Sequence, residues 1–167
     1  MQTSYNYTTP KGVAGGLYDL VPYQVESRVN GETKAGALKF GMGVVQGTTP
    51  GADVALPTAA ATADKFEGLL LTGFTQEMDS AGEVTIRPKQ TVGVLRYGKA
   101  WARVSKDAAV SYGDKLYLIT SGDEAGMFTN EASGNLAVNG RFVGATDSVS
   151  IAPVELYNQQ AAGATAE

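Results

Sequence analysis

The sequence predicts a mostly β fold: a compact antiparallel β-barrel or sandwich preceded by an extended N-terminal arm. Three observations carry this. Apolar runs of strand length recur about every 8 to 12 residues, separated by turn residues. No segment sustains the 3.6-residue apolar period of an amphipathic helix. Gly supplies 21 of the 167 residues, spread as turn and bend positions and not as a repeat of fixed period. A chain of this length buries roughly two-thirds of the surface it would expose unfolded, so a single domain holds without staples. The expected organisation is an arm over residues 1–40, a barrel over 41–157 and a small, polar, disordered tail over 158–167.

Each element follows from local chemistry. In residues 1–40, Pro10, Gly12, Gly15, Gly16, Pro22, Asn30, Gly31 and Gly36 interrupt every regular element. Four tyrosines, Tyr5, Tyr7, Tyr18 and Tyr23, sit among them. A tyrosine ring covers apolar surface at low entropic cost and keeps one polar tip. These rings therefore either pin the arm to its own barrel or anchor it on a neighbouring subunit. Residues 42–46 read as a strand. Residues 48–64, rich in Ala and Thr with Pro50 and Pro57, read as an excursion with a helical turn near 59–66. The apolar run 66–75 is a strand that Gly68 and Gly73 bend. A hairpin loop at 78–82 leads to strand 83–87, where Val84 and Ile86 alternate inward. Strands 91–96 and 99–104 flank a turn at Tyr97-Gly98. In the second of these, Ala100, Ala102 and Val104 share one face, and Lys99, Trp101 and Arg103 share the other. Strands 115–120 and 126–129 flank a turn at 121–124. Asn139-Gly140 carries the signature of a two-residue hairpin. Strand 151–157 closes the domain, with Ala152, Val154 and Leu156 on one face.

The chain has no Cys and no His, which excludes disulfides, thiolate or imidazole zinc sites, Cys nucleophiles and His bases. No Ser-x-x-Lys occurs, so a serine nucleophile lacks a lysine base at that spacing. The run Gly93 to Lys99 matches the spacing of a phosphate-binding loop, but Ala100 stands where a magnesium-ligating hydroxyl is required. Strand alternation also continues through Trp101 and Arg103, where such a loop needs a helix N-terminus. Gly41-Met42-Gly43 lacks the third glycine of a dinucleotide fingerprint. Asp123-Glu124, and Asp79 with Glu83, read as hydrated turn acids. No catalytic residue, cofactor site or metal site is expected. The longest aliphatic run, residues 69–71, is far short of the roughly 20 residues of a spanning helix, and residues 1–10 hold no apolar signal core.

The net charge of −4 comes from 13 basic and 17 acidic residues and argues against nucleic acid as the main partner. Six of the basic residues, Arg87, Lys89, Arg96, Lys99, Arg103 and Lys106, fall in one stretch without an acid. Such a stretch reads either as a hydrated strand face or as a docking face for an acidic protein surface.

Several short stretches then occur in a telling order: 16–20 (GLYDL), 32–36 (ETKAG), 41–45 (GMGVV), 66–68 (FEG), 73–75 (GFT), 92–95 (VGVL), 98–101 (GKAW), 112–117 (YGDKLY) and 151–156 (IAPVEL). Over about residues 5–158 this order resembles the structural cement, or capsid decoration, proteins of tailed bacteriophages. The resemblance implies a non-enzymatic structural protein of the phage capsid. Such a protein binds the outer surface of the major capsid protein shell and stabilises contacts between capsomers. The resemblance also implies self-association as a dimer or trimer, a place on the virion surface after synthesis in the bacterial cytoplasm, and no membrane or nucleic-acid partner. The candidate capsid contacts are Tyr5, Tyr7, Leu17, Tyr18 and Tyr23 of the arm, with Arg96, Tyr97, Lys99, Trp101 and Arg103 of the basic stretch. Trp and Arg are the residue types most enriched at interface hot spots. Two other readings stand beside this one: a head-completion or tail protein of the virion, and a carbohydrate-binding barrel using Trp101 and Tyr97 as a platform.

Overall fold

The computed structural model describes residues 12–73 and 84–157. Nine strands follow in chain order: β1 (Gln24–Asn30), β2 (Gly43–Gln46), β3 (Asp53–Ala55), β4 (Phe66–Leu70), β5 (Thr91–Arg103), β6 (Lys115–Leu118), β7 (Phe128–Thr129), β8 (Leu136–Phe142) and β9 (Ile151–Leu156). Their spatial order is β1-β3-β2-β4-β5-β9-β8-β6-β7, and β1 also pairs with β5. That pairing closes the first five strands into a barrel, so the fold is a mostly β barrel with further strands attached.

Strand β5 is the spine of the molecule. Its first half registers with β1, from Val29↔Thr91 to Gln24↔Tyr97, and with β4 at Leu69↔Leu95 and Leu70↔Val94. Its second half registers with β9, from Gly98↔Leu156 to Arg103↔Ile151. A parallel bridge from Val104 to Phe128 then brings the second sheet back onto the end of β5. Two cores follow from this exchange. Val92 and Val94 pack with Leu38, Val44, Val54, Leu70 and Ile86. Ala100, Ala102 and Val104 pack in the other core with Leu116, Leu118, Phe128 and Phe142, among others. Phe66 and Phe128 meet edge to face there, with centroids 6.5 Å apart, a favoured arrangement for two ring quadrupoles.

Several expectations need correction. Tyr97-Gly98 is not a hairpin turn, because β5 runs unbroken through it. Gly98 has φ 124°, and a Cβ there would stand 2.7 Å from Cβ of Tyr23. Glycine thus lets one strand bend and change partners, and in sequence that looks like a turn. Asn139-Gly140 is likewise no hairpin but the interior of β8. A Cβ on Gly140 would lie 2.5 Å from the Glu155 carbonyl oxygen, so the glycine serves the close approach of β9. The barrel also begins within the stretch expected to be arm, since β1 is one of its five strands. The ladder is not wholly antiparallel, because β1 and β3 pair in parallel. The strand from Phe66 ends at Leu70. The expected strand at 83–87 is no strand over its described part: Val84 makes an isolated bridge and Ile86 alone is buried. The helical turn near 59–66 is a single 3₁₀ turn, Ala63–Lys65. The hairpin loop at 78–82 and the tail 158–167 lie outside the described residues.

Candidate functional site

The arm and β5 together build one surface. Residues 15–18 add to the free edge of the second half of β5 like a further strand. Gly15 N–H donates to Trp101 O at 2.7 Å, Trp101 N–H to Gly16 O at 2.9 Å and Tyr18 N–H to Lys99 O at 3.0 Å. Leu17 bridges Ala100. On its other side the arm is held by Thr72, whose N–H donates to Gly15 O at 2.8 Å and whose hydroxyl donates to Ala14 O at 3.0 Å. The arm therefore satisfies a strand edge that would otherwise invite aggregation.

Side chains follow this main-chain docking. The rings of Tyr18 and Trp101 stand 5.4 Å apart, tilted by 58°. Gly12 also lies against the Trp101 indole, and the ring is only partly exposed. A sugar platform needs an open ring face, and Trp101 is crowded by its own arm. Tyr23 lies over Gly98, and Gln24 is in register with Tyr97. The outer surface along this path keeps large apolar groups in solvent: Tyr18 is 42% exposed, Leu20 93%, Tyr23 50%, Val25 39% and Tyr97 41%.

The cations of the basic stretch are not left free on this face. Lys99 Nζ lies 3.3 Å from Asp19 Oδ2. Arg103 Nε donates to Phe40 O at 2.9 Å. Arg96 pairs with Glu67 and stands 3.9 Å from Glu26, while Arg28 pairs with Glu26 and reaches Glu67 at 3.5 Å. Glu26, Arg28, Glu67 and Arg96 thus form one network across β1, β4 and β5. The structure brings six candidates together: Tyr18, Tyr23, Tyr97 and Trp101 as an aromatic ridge, with Lys99, paired with Asp19, and Arg103, bonded to the Phe40 carbonyl, beside it. Leu17 stands directly across from Ala100, so its side chain lies on the Ala100 face of the strand and not with Trp101. Arg96 belongs to the ion network. Tyr5 and Tyr7 lie outside the described residues. Sequence reasoning missed Leu20 and Val25. The alternation of Val25, Ser27 and Val29 would have found the strand that carries Val25, had residues 1–40 not been read as a single arm.

The remaining sequence candidates are structural. Glu124 accepts hydrogen bonds from the Ser105 hydroxyl at 2.6 Å and from Lys106 N–H at 3.3 Å, bracing a loop. Asp79 and Glu83 lie outside the described residues. Among the described residues no three His, Cys, Asp or Glu side chains gather as metal ligands. The run Gly93 to Lys99 lies within β5, with no helix following it. On the second sheet, Arg141 stacks over Tyr112 at 5.4 Å and pairs with Glu155 at 2.9 Å. The hydrogen bond to Glu155 raises its pKa further, so the guanidinium stays charged. Two open clefts of about 290 Å³ each carry no cluster of titratable groups.

Residues 1–157 match the family model described as "Structural cement protein (E217 gp24/Pam3 gp6)". No curated protein matches the chain. A chain of the solved structure titled "The capsid of Myoviridae Phage XM1" superposes with a TM-score of 0.66 at 22% identity, covering 95% of this chain and 100% of its own. At that identity the likeness is one of fold.

Proposed function

We propose, because this chain belongs to the phage structural cement protein family, that it binds the outer surface of a major capsid protein shell and stabilises contacts between capsomers. The observation that carries this beyond the family is the ridge on β5 and the arm. It is long, aromatic and aliphatic, and Lys99 next to it is already paired with Asp19 within the chain. Such a surface gains from being covered, since roughly 25 cal/mol is recovered per Å² of apolar area removed from water. Exposed tyrosines supply contact area with few rotamers to freeze. A cement protein acts by position and by many weak contacts that add through avidity. It performs no chemistry, and neither Cys nor His is present to make its contacts sensitive to redox state or mild acid.

The contact residues of this reading are Tyr18, Tyr23, Tyr97 and Trp101, joined by Leu20 and Val25. Tyr5 and Tyr7 extend the contact to a neighbouring subunit. Arg96, Lys99 and Arg103 hold the ridge in place rather than steer the encounter. The experiment is binding of labelled protein to undecorated capsids. Tyr18→Ala with Leu20→Ser should weaken binding at least tenfold, about 1.4 kcal/mol, by faster release. An unchanged affinity in that double variant removes the ridge from the contact.

A further inference from the structure

The second sheet carries a ring and an ion pair that serve neither core. Tyr112 sits at the tip of the turn that leads into β6 and is 68% exposed. That turn is fastened on both sides of the ring. Ser111 N–H donates to Asp114 Oδ2 at 2.9 Å, Gly113 N–H donates to Phe142 O at 2.9 Å, and Phe142 N–H donates to Asp114 O at 2.9 Å. The Arg141 guanidinium lies over one face of the ring, 5.4 Å from its centroid. The ring is thus fixed in place while most of it stays in water, so a ligand that covers it has little left to order.

Unspent hydrogen-bonding capacity collects beside the ring. Lys115 is in register with Arg141, and Arg141 with Glu155. Arg141 Nε donates to Glu155 Oε2 at 2.9 Å, and the Tyr157 hydroxyl donates to the same oxygen at 3.4 Å. Among the described residues, neither Nη atom of Arg141 nor Oε1 of Glu155 has a hydrogen-bond partner. The two side chains are 40% and 22% exposed, so these atoms are within reach of a ligand.

A cleft opens next to them. The pairing of β6 with β8 shifts between Lys115 and Tyr117, whose partners are Arg141 and Ala137, so residues 138–140 are an irregular step in the ladder. The cleft there holds about 290 Å³ and is lined by Lys115, Tyr117, Asn139 and Gly140, among others. Burial alternates along β6 with Leu116 and Leu118 in the core, so Tyr117 shares the outer face with Lys115. One aromatic residue therefore lines the cleft, and a second stands beyond the ion pair.

We propose that this face binds a neutral saccharide, with one pyranose ring stacked on Tyr112 and a second in the cleft against Tyr117. A pyranose offers a C–H face to an aromatic ring and a rim of hydroxyls that both donate and accept. The site matches both halves. Glu155 Oε1 accepts from a hydroxyl, while the Nη atoms of Arg141 and the Lys115 ammonium donate to hydroxyl oxygens. Other occupants fit less well. A phosphate or sulfate would meet the open carboxylate oxygen, and an apolar peptide would strip water from three charges without replacing their hydrogen bonds. This face shares no residue with the ridge on β5 and the arm. It does not rest on the capsid reading, and its test uses purified protein.

The probes are maltose, cellobiose, lactose and chitobiose, each titrated into the protein and read by saturation-transfer NMR. At least one should bind with a Kd of about 1 mM or below, with saturation strongest on the C–H protons of one ring face. Tyr112→Ala should weaken that binding about tenfold or more, and Tyr112→Phe less than about threefold, because the ring and not its hydroxyl carries the stack. Val149→Ser, at an exposed position on the loop between β8 and β9, should leave it unchanged. Capsid binding by Tyr112→Ala should equal that of the wild type. Silence from all four sugars, or binding that survives Tyr112→Ala, would overturn the site. Tighter binding of glucose 6-phosphate than of any neutral sugar would overturn it in favour of an anion. Loss of capsid binding in Tyr112→Ala without any sugar binding would overturn it too, by assigning the face to the shell.

Discussion

Gly98 is the residue on which the fold turns. Its φ of 124° is open to glycine and costly for any L side chain, and a Cβ there would collide with Tyr23. Gly98→Ala should lower unfolding free energy by about 2 kcal/mol, read from urea denaturation; a loss below about 0.5 kcal/mol contradicts this role. Glu67 joins Arg28 and Arg96 with its side chain 12% exposed. Glu67→Gln should therefore cost about 2 kcal/mol by leaving two guanidiniums short of a counter-charge, measured in the same way. Lys99 differs, because it makes a single ion pair with Asp19, whose side chain is 34% exposed, and stands outside that network. Lys99→Ala should change the rate of capsid capture by less than about twofold at any salt concentration, since paired rim charges steer little. The basic stretch is legible in sequence as a cluster, but the partners of its cations are not. Asp19 lies 80 residues from Lys99, Glu67 lies 29 from Arg96, and Phe40 lies 63 from Arg103.

At the scale of elements, the arm and β5 act as one unit. The arm covers the edge of β5 through three main-chain hydrogen bonds, and the chain then runs on into β1. Deleting residues 1–21 removes that cover but no named strand. The barrel should stay folded by circular dichroism, while capsid affinity falls at least tenfold, about 1.4 kcal/mol. An unchanged affinity would show that the arm is only a cover. Alternation reveals most strands: residues 42–46, 91–96, 99–104, 115–120 and 151–157 all fall on observed strands within a few residues, the second and third being halves of the single strand β5. What failed was the meaning of glycine. Tyr97-Gly98 and Asn139-Gly140 carry turn chemistry, yet both lie inside strands, because the first answers a change of partner and the second a close neighbour. Both causes are long-range, so no local window contains them. The strand β1 was hidden for the opposite reason, since the turn residues on either side of it made the whole segment look irregular.

At the scale of the molecule, a closed five-stranded barrel and a second curled sheet share β5, and the arm fastens across the shared strand. This leaves the aromatic and aliphatic ridge on the outside, facing away from both cores. A rigid body with such a ridge, in a family of phage structural cement proteins, is suited to bridging neighbouring units of a shell. The most direct measurement is an electron cryomicroscopy reconstruction of undecorated capsids after incubation with the purified protein. Added density is expected on the outer surface between capsomers, with Tyr18, Leu20, Tyr23 and Tyr97 turned toward the shell. No added density, density confined to the portal or tail vertex, or a bound barrel with this ridge facing solvent would contradict it.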